Sequence, residues 1–360
     1  MNIELYNKQN KNNLEVTEPL IKRHEDCRKY LRSVSKEIGR GAHWEERSKQ
    51  VDYALTKEGY IWKGQRINYC PPIYHKNKNY NCPDSWFNSM KNLSKKMNYP
   101  ARKETAVKLD CFKINKRVFR FDITGCSNNY YFDRLNLEIN KTSNVLEIGA
   151  GCGVLAALFS AEHECKYVIV DLPEMLTASS AFLLYTFPEK KISLPNEINS
   201  VKDIEGSDFT LLTPKQIEFI ISMRFDLCIN IASFMEMKNE EVKMYFQLVN
   251  KCLENNGYFF CSNRIKKHTN FFEYPWYLLN DCEDVFIERC RLMMDIVPRK
   301  NQFVDRLQIK NNKNRDKYNF PKPPRIIIAE ILKQVIWRKG FPFTSIHKYF
   351  PYHWKRMPNL

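Results

Sequence analysis

Asn144–Ala156, NVLEIGAGCGVLA, decides how the rest of the chain is read. Val145, Leu146 and Ile148 form a short aliphatic run that predicts a strand. Gly149, Gly151 and Gly153 follow at once, and an Ala-rich apolar segment then predicts a helix. A strand, a glycine turn and a helix start leave backbone N–H groups open to a ligand, because no side chain stands in the way. The spacing narrows the ligand. A dinucleotide fingerprint, G-x-G-x-x-G counted from Gly149, needs a small residue at position 154, where Val154 stands. Here the third glycine comes one residue early, and an acid, Glu147, precedes the first by two.

On either side of this stretch, strands alternate with helices. The run Tyr167–Val170 ends at Asp171, and a helix is expected through about 187. Two short apolar runs, Ile192–Leu194 and Phe209–Leu212, compete to be the third strand. FDLCINIA (225–232) reads as a strand, a helix follows near 239–253, and Asn255-Asn256-Gly257 predicts a turn into a strand at Tyr258–Ser262. This alternation implies parallel βαβ units in a Rossmann-like, doubly wound, mostly parallel α/β sheet. Ligands of such sheets bind at the carboxyl ends of the strands. Before it, helices are expected near 15–40, 84–98 and 127–139, which makes the N-terminal region a mainly helical cap. Between the first two lies YCPPIYHKNKNYNCP (69–83), where Pro71, Pro72 and Pro83 exclude a continuous helix or central strand. The rings Tyr60, Trp62, Tyr69, Tyr74, Tyr80, Trp86 and Phe87 suit either an acceptor-binding cap or ordinary packing.

The chain has 360 residues, of which 43% are hydrophobic and 13% aromatic, enough for a folded core in one large domain or two ordinary ones. Its start, MNIELYNKQNKNN, lacks the apolar stretch of a secretory signal, and no apolar run nears the roughly 18 residues of a membrane span. A cytoplasmic protein is expected. None of the 12 cysteines forms a C-x-x-C pair or a zinc-finger spacing, so reduced, structural thiols and no metal are expected; Cys152, Cys165, Cys228 and Cys261 lie in or beside apolar segments.

The net charge of +16 is uneven. Residues 1–140 carry 27 Lys and Arg against 16 Asp and Glu, residues 141–298 carry 15 against 22, and residues 299–360 carry 15 against 3. An acidic core between basic flanks suits an anionic acceptor, an anionic membrane surface or a polymer; a solvated basic surface is the plain alternative. The segment 311–325 reads as a basic, Pro-containing linker and RIIIAEILKQVIWRK (325–339) as a helix with a broad apolar face. That helix suits peripheral docking on an anionic bilayer, packing on the core, or a homo-oligomer contact. These shifts divide the chain into an N-terminal accessory or acceptor-binding region (1–120), a cofactor domain (121–298) and a basic C-terminal extension (299–360).

The pattern E-x-G-x-G-x-G resembles motif I of class I methyltransferases that use S-adenosyl-L-methionine (SAM). The resemblance implies that Glu147, Gly149, Ala150, Gly151 and Gly153 cradle the methionine end of SAM. Asp171 ends the second strand, where a carboxylate accepts from ribose hydroxyls; its alternative is a helix cap. Asp171-Leu172-Pro173 resembles many O-methyltransferases. Asp208 with Phe209 is a candidate for the adenine, its acid accepting from the exocyclic amine. The fourth strand ends in Asn230, followed by Ser233 and Glu236, and the fifth in Ser262, Asn263 and Arg264, so these groups are expected near the transferred methyl and the acceptor. Glu236 is the first candidate for a base that deprotonates a hydroxyl and His268 the second, with a surface role as the alternative for each. Arg264, with Lys266 and Lys267, suits a phosphate or carboxylate on the acceptor.

Together VLEIGAGCG (145–153), VDLPEM (170–175), FDLCINIASFMEM (225–237) and NNGYFFCSNR (255–264) resemble the bacterial sugar O-methyltransferases found with surface-polysaccharide biosynthesis, over roughly residues 120–275. N-x-x-S-F-x-E-M is the most specific phrase. The resemblance also implies that Tyr130 and Tyr131 contact SAM, and that the acceptor is a sugar hydroxyl, on an anionic glycan precursor. Asn230 lacks the Pro-Pro-Tyr/Phe that resembles base-amine methylation, and Pro-Cys is absent, so a nucleic-acid acceptor is disfavoured. An RNA or protein methyltransferase gripping a polymer with its basic flanks, or a non-catalytic methyltransferase-like scaffold, remain the alternatives.

Overall fold

A computed structural model describes residues 16–39, 44–45, 51–57, 59–62, 111–114, 117–120, single positions from 128 to 137, 139–264, 282–290 and 303–311. They fall into two units, residues 1–223 and 224–360. His268, the 84–98 helix, the 325–339 helix and the rings Tyr69, Tyr74, Tyr80, Trp86 and Phe87 lie outside the described residues.

The first unit contains α1 (Glu18–Ser35), the hairpin β1 (Tyr53–Thr56) and β2 (Gly59–Trp62), and a second hairpin, β3 (Cys111–Ile114) and β4 (Arg117–Arg120). Then come β5 (Asn144–Ile148), α2 (Val154–His163), β6 (Lys166–Val170), α3 (Pro173–Thr186), β7 (Ile192–Ser193) and β8 (Phe209–Leu212). The strands run parallel in the order β5-β6-β8-β7. Leu146 pairs with Val168, and Val168 with Thr210. The third strand beside β6 is thus β8, and the Ile192 run forms the short strand beyond it.

All 14 residues of α3 are buried, which explains why its sequence has no polar stripe. The N-terminal elements supply its cover. His24 of α1 lies 3.2 Å from the Thr177 carbonyl and its Nδ1 accepts from Leu55 N–H at 3.3 Å. The Thr177 hydroxyl accepts from Tyr53 N–H at 3.2 Å. Arg28 grips Asp52 through two hydrogen bonds of 2.8 and 3.1 Å. Tyr60 packs edge-on against Phe182 and Tyr185 of α3, at ring distances of 6.1 and 5.7 Å, so this ring serves packing.

The second unit contains β9 (Phe225–Ile231), α4 (Asn239–Cys252), β10 (Leu253–Arg264), β11 (Cys282–Arg289) and β12 (Phe303–Lys310), in the strand order β11-β12-β10-β9. β9 and β10 are parallel across the α4 crossover; β12 runs antiparallel to both β10 and β11. Asn255-Asn256-Gly257, expected as a turn before a strand, lies inside β10, where the register against β9 shifts between Leu253 and Tyr258. Asn256 takes a left-handed φ of 63°, and a Cβ on Gly257 would stand 2.9 Å from the Glu254 carbonyl oxygen. The turn chemistry is satisfied by an irregularity in the ladder rather than by a loop. Parallel strands joined by helices, with an antiparallel pair at the end, make this the Rossmann-like, mostly parallel α/β fold that the glycine turn implies.

Cys152, Cys165, Cys228 and Cys261 are buried, and burial pushes the Cys228 thiol well up. Among the described residues, no group of three His, Cys, Asp or Glu is arranged to hold a metal ion, and no helix is long and apolar enough to cross a membrane.

Two buried groups give the stability a pH profile with opposite signs. Burial brings His24 down from 6.5 to about 4, so between those values only the unfolded chain takes up the proton, and His24 costs stability as the pH falls. Burial first, then the nearby Asp171 carboxylate, push Glu147 up from 4.5 to about 8 against the hydrogen bond from Tyr167. Its contribution is complete below 4.5 and lost as the pH rises through 8, because the folded chain holds a proton that the unfolded chain has released. Of these two slopes, the Glu147 one alone acts above pH 6.5. The melting temperature is expected to fall from pH 6.5 to 8, and Glu147→Gln to flatten that fall; an equal slope in the variant contradicts the assignment.

Candidate cofactor and acceptor sites

In the first unit, β5 runs out at Ile148 and the chain turns through Gly149, Gly151 and Gly153, whose φ angles are 75°, 61° and 75°. The left-handed region is open to glycine and strained for other residues. Gly149 N–H donates to the Val170 carbonyl at 2.8 Å and Gly153 N–H to that of Ala150 at 3.1 Å, which fixes the turn against the end of β6. A Cβ on Gly151 would meet only Met175 Cε, at 3.9 Å, so the turn presents bare backbone. Gly153 begins α2, which has neither a side-chain cap nor an acid in its first turn. Its first N–H groups and its dipole therefore favour an anionic group.

Asp171, 9% exposed, sits immediately after β6. Its Oδ2 accepts from Gly151 N–H and its Oδ1 from Leu172 N–H, each at 2.7 Å. Leu172, not Asp171, is the cap residue of α3. These two bonds hold the carboxylate against the glycine turn and the start of α3. Glu147 lies two residues before the turn, 3% exposed, accepting from the Tyr167 hydroxyl at 2.8 Å. Tyr131 is also buried, at 2%, its ring edge-on to Tyr130 at 5.2 Å.

Asp208 needs a correction. It precedes β8, and so stands at the amino end of a strand whose carboxyl end, Leu212, pairs with Val170. Its carboxylate accepts from Lys191 N–H at 2.9 Å, and its carbonyl from Tyr167 N–H. Parallel pairing thus puts it at the opposite end of the strands from the glycine turn, where it cannot meet an adenine bound there. The carboxyl end of β8 carries Thr213 and Gln216 instead. Thr213 donates through N–H and hydroxyl to Gln216 Oε1, at 3.1 and 3.0 Å, and Gln216 Nε2 donates to the Pro195 and Ile198 carbonyls. Choosing the Phe209 run as the third strand and counting forward to its carboxyl end would have found them.

In the second unit the residues after β9 and at the end of β10 form one network. Asn230 and Asn263, both fully buried, join through Asn263 Nδ2 to Asn230 Oδ1 at 2.7 Å. Asn230 Nδ2 donates to the Ser233 hydroxyl at 2.5 Å, and Asn263 Oδ1 accepts from Met235 N–H at 3.1 Å. Phe234 is buried against Tyr245 and Phe246 of α4. Ala232 is held at a φ of 57°, a left-handed conformation unusual for alanine, while its N–H donates to the Ser262 carbonyl at 2.7 Å. Such strain persists where surroundings over-determine it, commonly at functional segments. The segment ends in a short helical turn, Phe234–Glu236, which leaves Glu236 half-buried. Arg264, also half-buried, places its guanidinium over the Phe303 ring at 5.6 Å.

Asn230 and Asn263 are therefore braces for the segment that carries Ser233 and Glu236. Asn263→Ala removes the bonds to Met235 N–H and Asn230 Oδ1, the latter keeping Phe234 N–H at 3.4 Å and the Cys261 thiol at 3.9 Å, at a total cost of about 1–3 kcal/mol. The expected result is a clearly lower melting temperature of the variant in thermal denaturation; an unchanged one contradicts the bracing role.

No family model matches the chain, and no curated protein does. Solved structures do. The YcgJ protein of Bacillus subtilis matches at 13% identity over 52% of this chain and 99% of its own, with a TM-score of 0.36. The N-methyltransferase NodS of Bradyrhizobium japonicum matches at 13% identity over 51% of this chain and 94% of its own, with a TM-score of 0.35. Phosphoethanolamine N-methyltransferase 2 of Haemonchus contortus, solved with phosphomonomethylethanolamine and S-adenosylhomocysteine, matches at 13% identity over 52% of each chain, with a TM-score of 0.34.

Proposed function

We propose that the chain is a SAM-dependent methyltransferase. The observation that carries this reading is the glycine turn: three left-handed glycines, one of them tied to Asp171, leading into an uncapped helix. These residues fit SAM. The uncapped start of α2 suits its carboxylate, the acids Glu147 and Asp171 suit its ammonium and ribose hydroxyls, and the open side of Gly151 admits it. Bound there, SAM supplies an electrophilic methyl group for in-line displacement at a sulfonium. The chain's part is to align the acceptor, which supplies much of the acceleration, and to remove its proton.

The finer reading is O-methylation of a sugar hydroxyl, on an anionic glycan precursor. Its support is the N-x-x-S-F-x-E-M phrase. Glu236 is the proposed base, Ser233 and Asn263 order the acceptor side, and Arg264 meets acceptor charge. His268 stays a second candidate for the base. The basic flanks suit such an acceptor and, through 325–339, an anionic membrane surface. Incubation with isotopically labelled SAM and either nucleotide sugars and glycan precursors, RNA, or protein, read by mass spectrometry, tests the acceptor. Label in a sugar hydroxyl is expected. Label in RNA or protein instead supports the polymer reading and sinks this one.

A further inference from the structure

Glu147 enters the proposed function only as an acid near the SAM ammonium; its hydrogen bond from Tyr167 has no role there. Glu147 lies one residue from the end of β5, and Tyr167 lies near the start of the adjacent β6. The register pairs Glu147 with Ile169, so the two side chains meet diagonally across the ladder. Both are buried, at 3% and 1% exposure, and Phe159 of α2 closes over the tyrosine with its ring 5.9 Å away. Among the described residues, the groups acting on Glu147 are Tyr167 of β6 and Asp171 just after β6, and Tyr167 in turn feels Cys165.

A phenol donates a hydrogen bond but brings no positive charge. Asp171 adds negative charge, and its own oxygens are engaged by Gly151 and Leu172 N–H. A buried carboxyl in that company favours its neutral form, because desolvation penalises the ion and no cationic group among the described residues offsets it. Yet it stands two residues before the glycine turn, beside a site read as taking a zwitterionic amino acid moiety.

Resting on the SAM reading, we infer that the Tyr167–Glu147 pair couples cofactor entry to proton release: the cofactor's ammonium group, arriving beside Glu147, drives the carboxyl proton to solvent. The O–H bond of Glu147 breaks, the proton goes to buffer, and the carboxylate remains, accepting from Tyr167 on one oxygen and from the ammonium on the other. No other bond changes. Tyr167 is a positioning residue: it holds Oε2 and turns the other oxygen to the ligand.

Calorimetry of SAM and of S-adenosylhomocysteine at pH 6.5, in two buffers of different ionisation enthalpy, counts the protons released. An α-amino group titrates near 7.7–8.0, so at pH 6.5 a released proton comes from the protein. The wild type is expected to release about one proton with either ligand and to gain up to about tenfold in affinity per pH unit from 6 to 7. Glu147→Gln is expected to release none and to lose this pH dependence. In Tyr167→Phe the release is expected to persist while the affinity rise moves to higher pH; a purely structural tyrosine would weaken binding equally at every pH. Tight binding by the wild type without proton release overturns the inference and leaves the SAM reading intact. The same release from Glu147→Gln also overturns it, and no binding by the wild type overturns the SAM reading itself.

Discussion

Replacing Gly153 with valine is expected to collapse the cofactor turn and cost the first unit much of its stability. Gly153 has a φ of 75°, and a Cβ there would stand 3.3 Å from Ser179 Cβ and 3.6 Å from both Ile169 Cδ1 and Leu183 Cδ1. The left-handed backbone costs a β-branched residue about 1–3 kcal/mol, and overpacking against these three core side chains costs about 1–3 kcal/mol more. Domains are stable by only about 5–15 kcal/mol, so a melting temperature lowered by many degrees, or an insoluble product, is the expected outcome. A variant that melts like the wild type would show that the turn is not packed against α3 as described.

Asp171→Ala carries the second large effect, and here two losses combine. The side chain supports the turn through Gly151 and Leu172 N–H, and in the proposed function it also accepts from the ribose hydroxyls. Hydrogen bonds to charged groups contribute about 1.5–3 kcal/mol, which corresponds to a SAM affinity lowered roughly 10- to 150-fold. Circular dichroism is expected to show a folded chain with a modestly lower melting temperature. Full SAM affinity in the folded variant would remove Asp171 from the site.

The sequence made the first unit's parallel strands legible because their apolar runs are fully buried and end in chemistry that cannot be hidden: glycines after β5, Asp-Leu-Pro after β6. It made Asn230 and Asn263 visible as strand-end residues but not as each other's partners, since register between β9 and β10 is a tertiary fact. Asp208 misled because an acid beside an apolar run looks alike at either end of a strand; only the pairing of β8 with β6 tells the ends apart. The hydrophobicity of α3 all round was visible too, but its cause, cover by α1 and the β1–β2 hairpin, depends on contacts more than a hundred residues apart, such as Tyr53 with Thr177.

Calorimetric titration of the 360-residue chain with SAM, with NAD as the comparison ligand, tests the central claim most directly. Saturable one-to-one SAM binding that falls at least tenfold in Asp171→Ala, and no heat with NAD, is the result expected from the glycine spacing and the Asp171 bridge. No SAM binding by the folded wild-type chain would contradict it and leave a methyltransferase-like scaffold in its place.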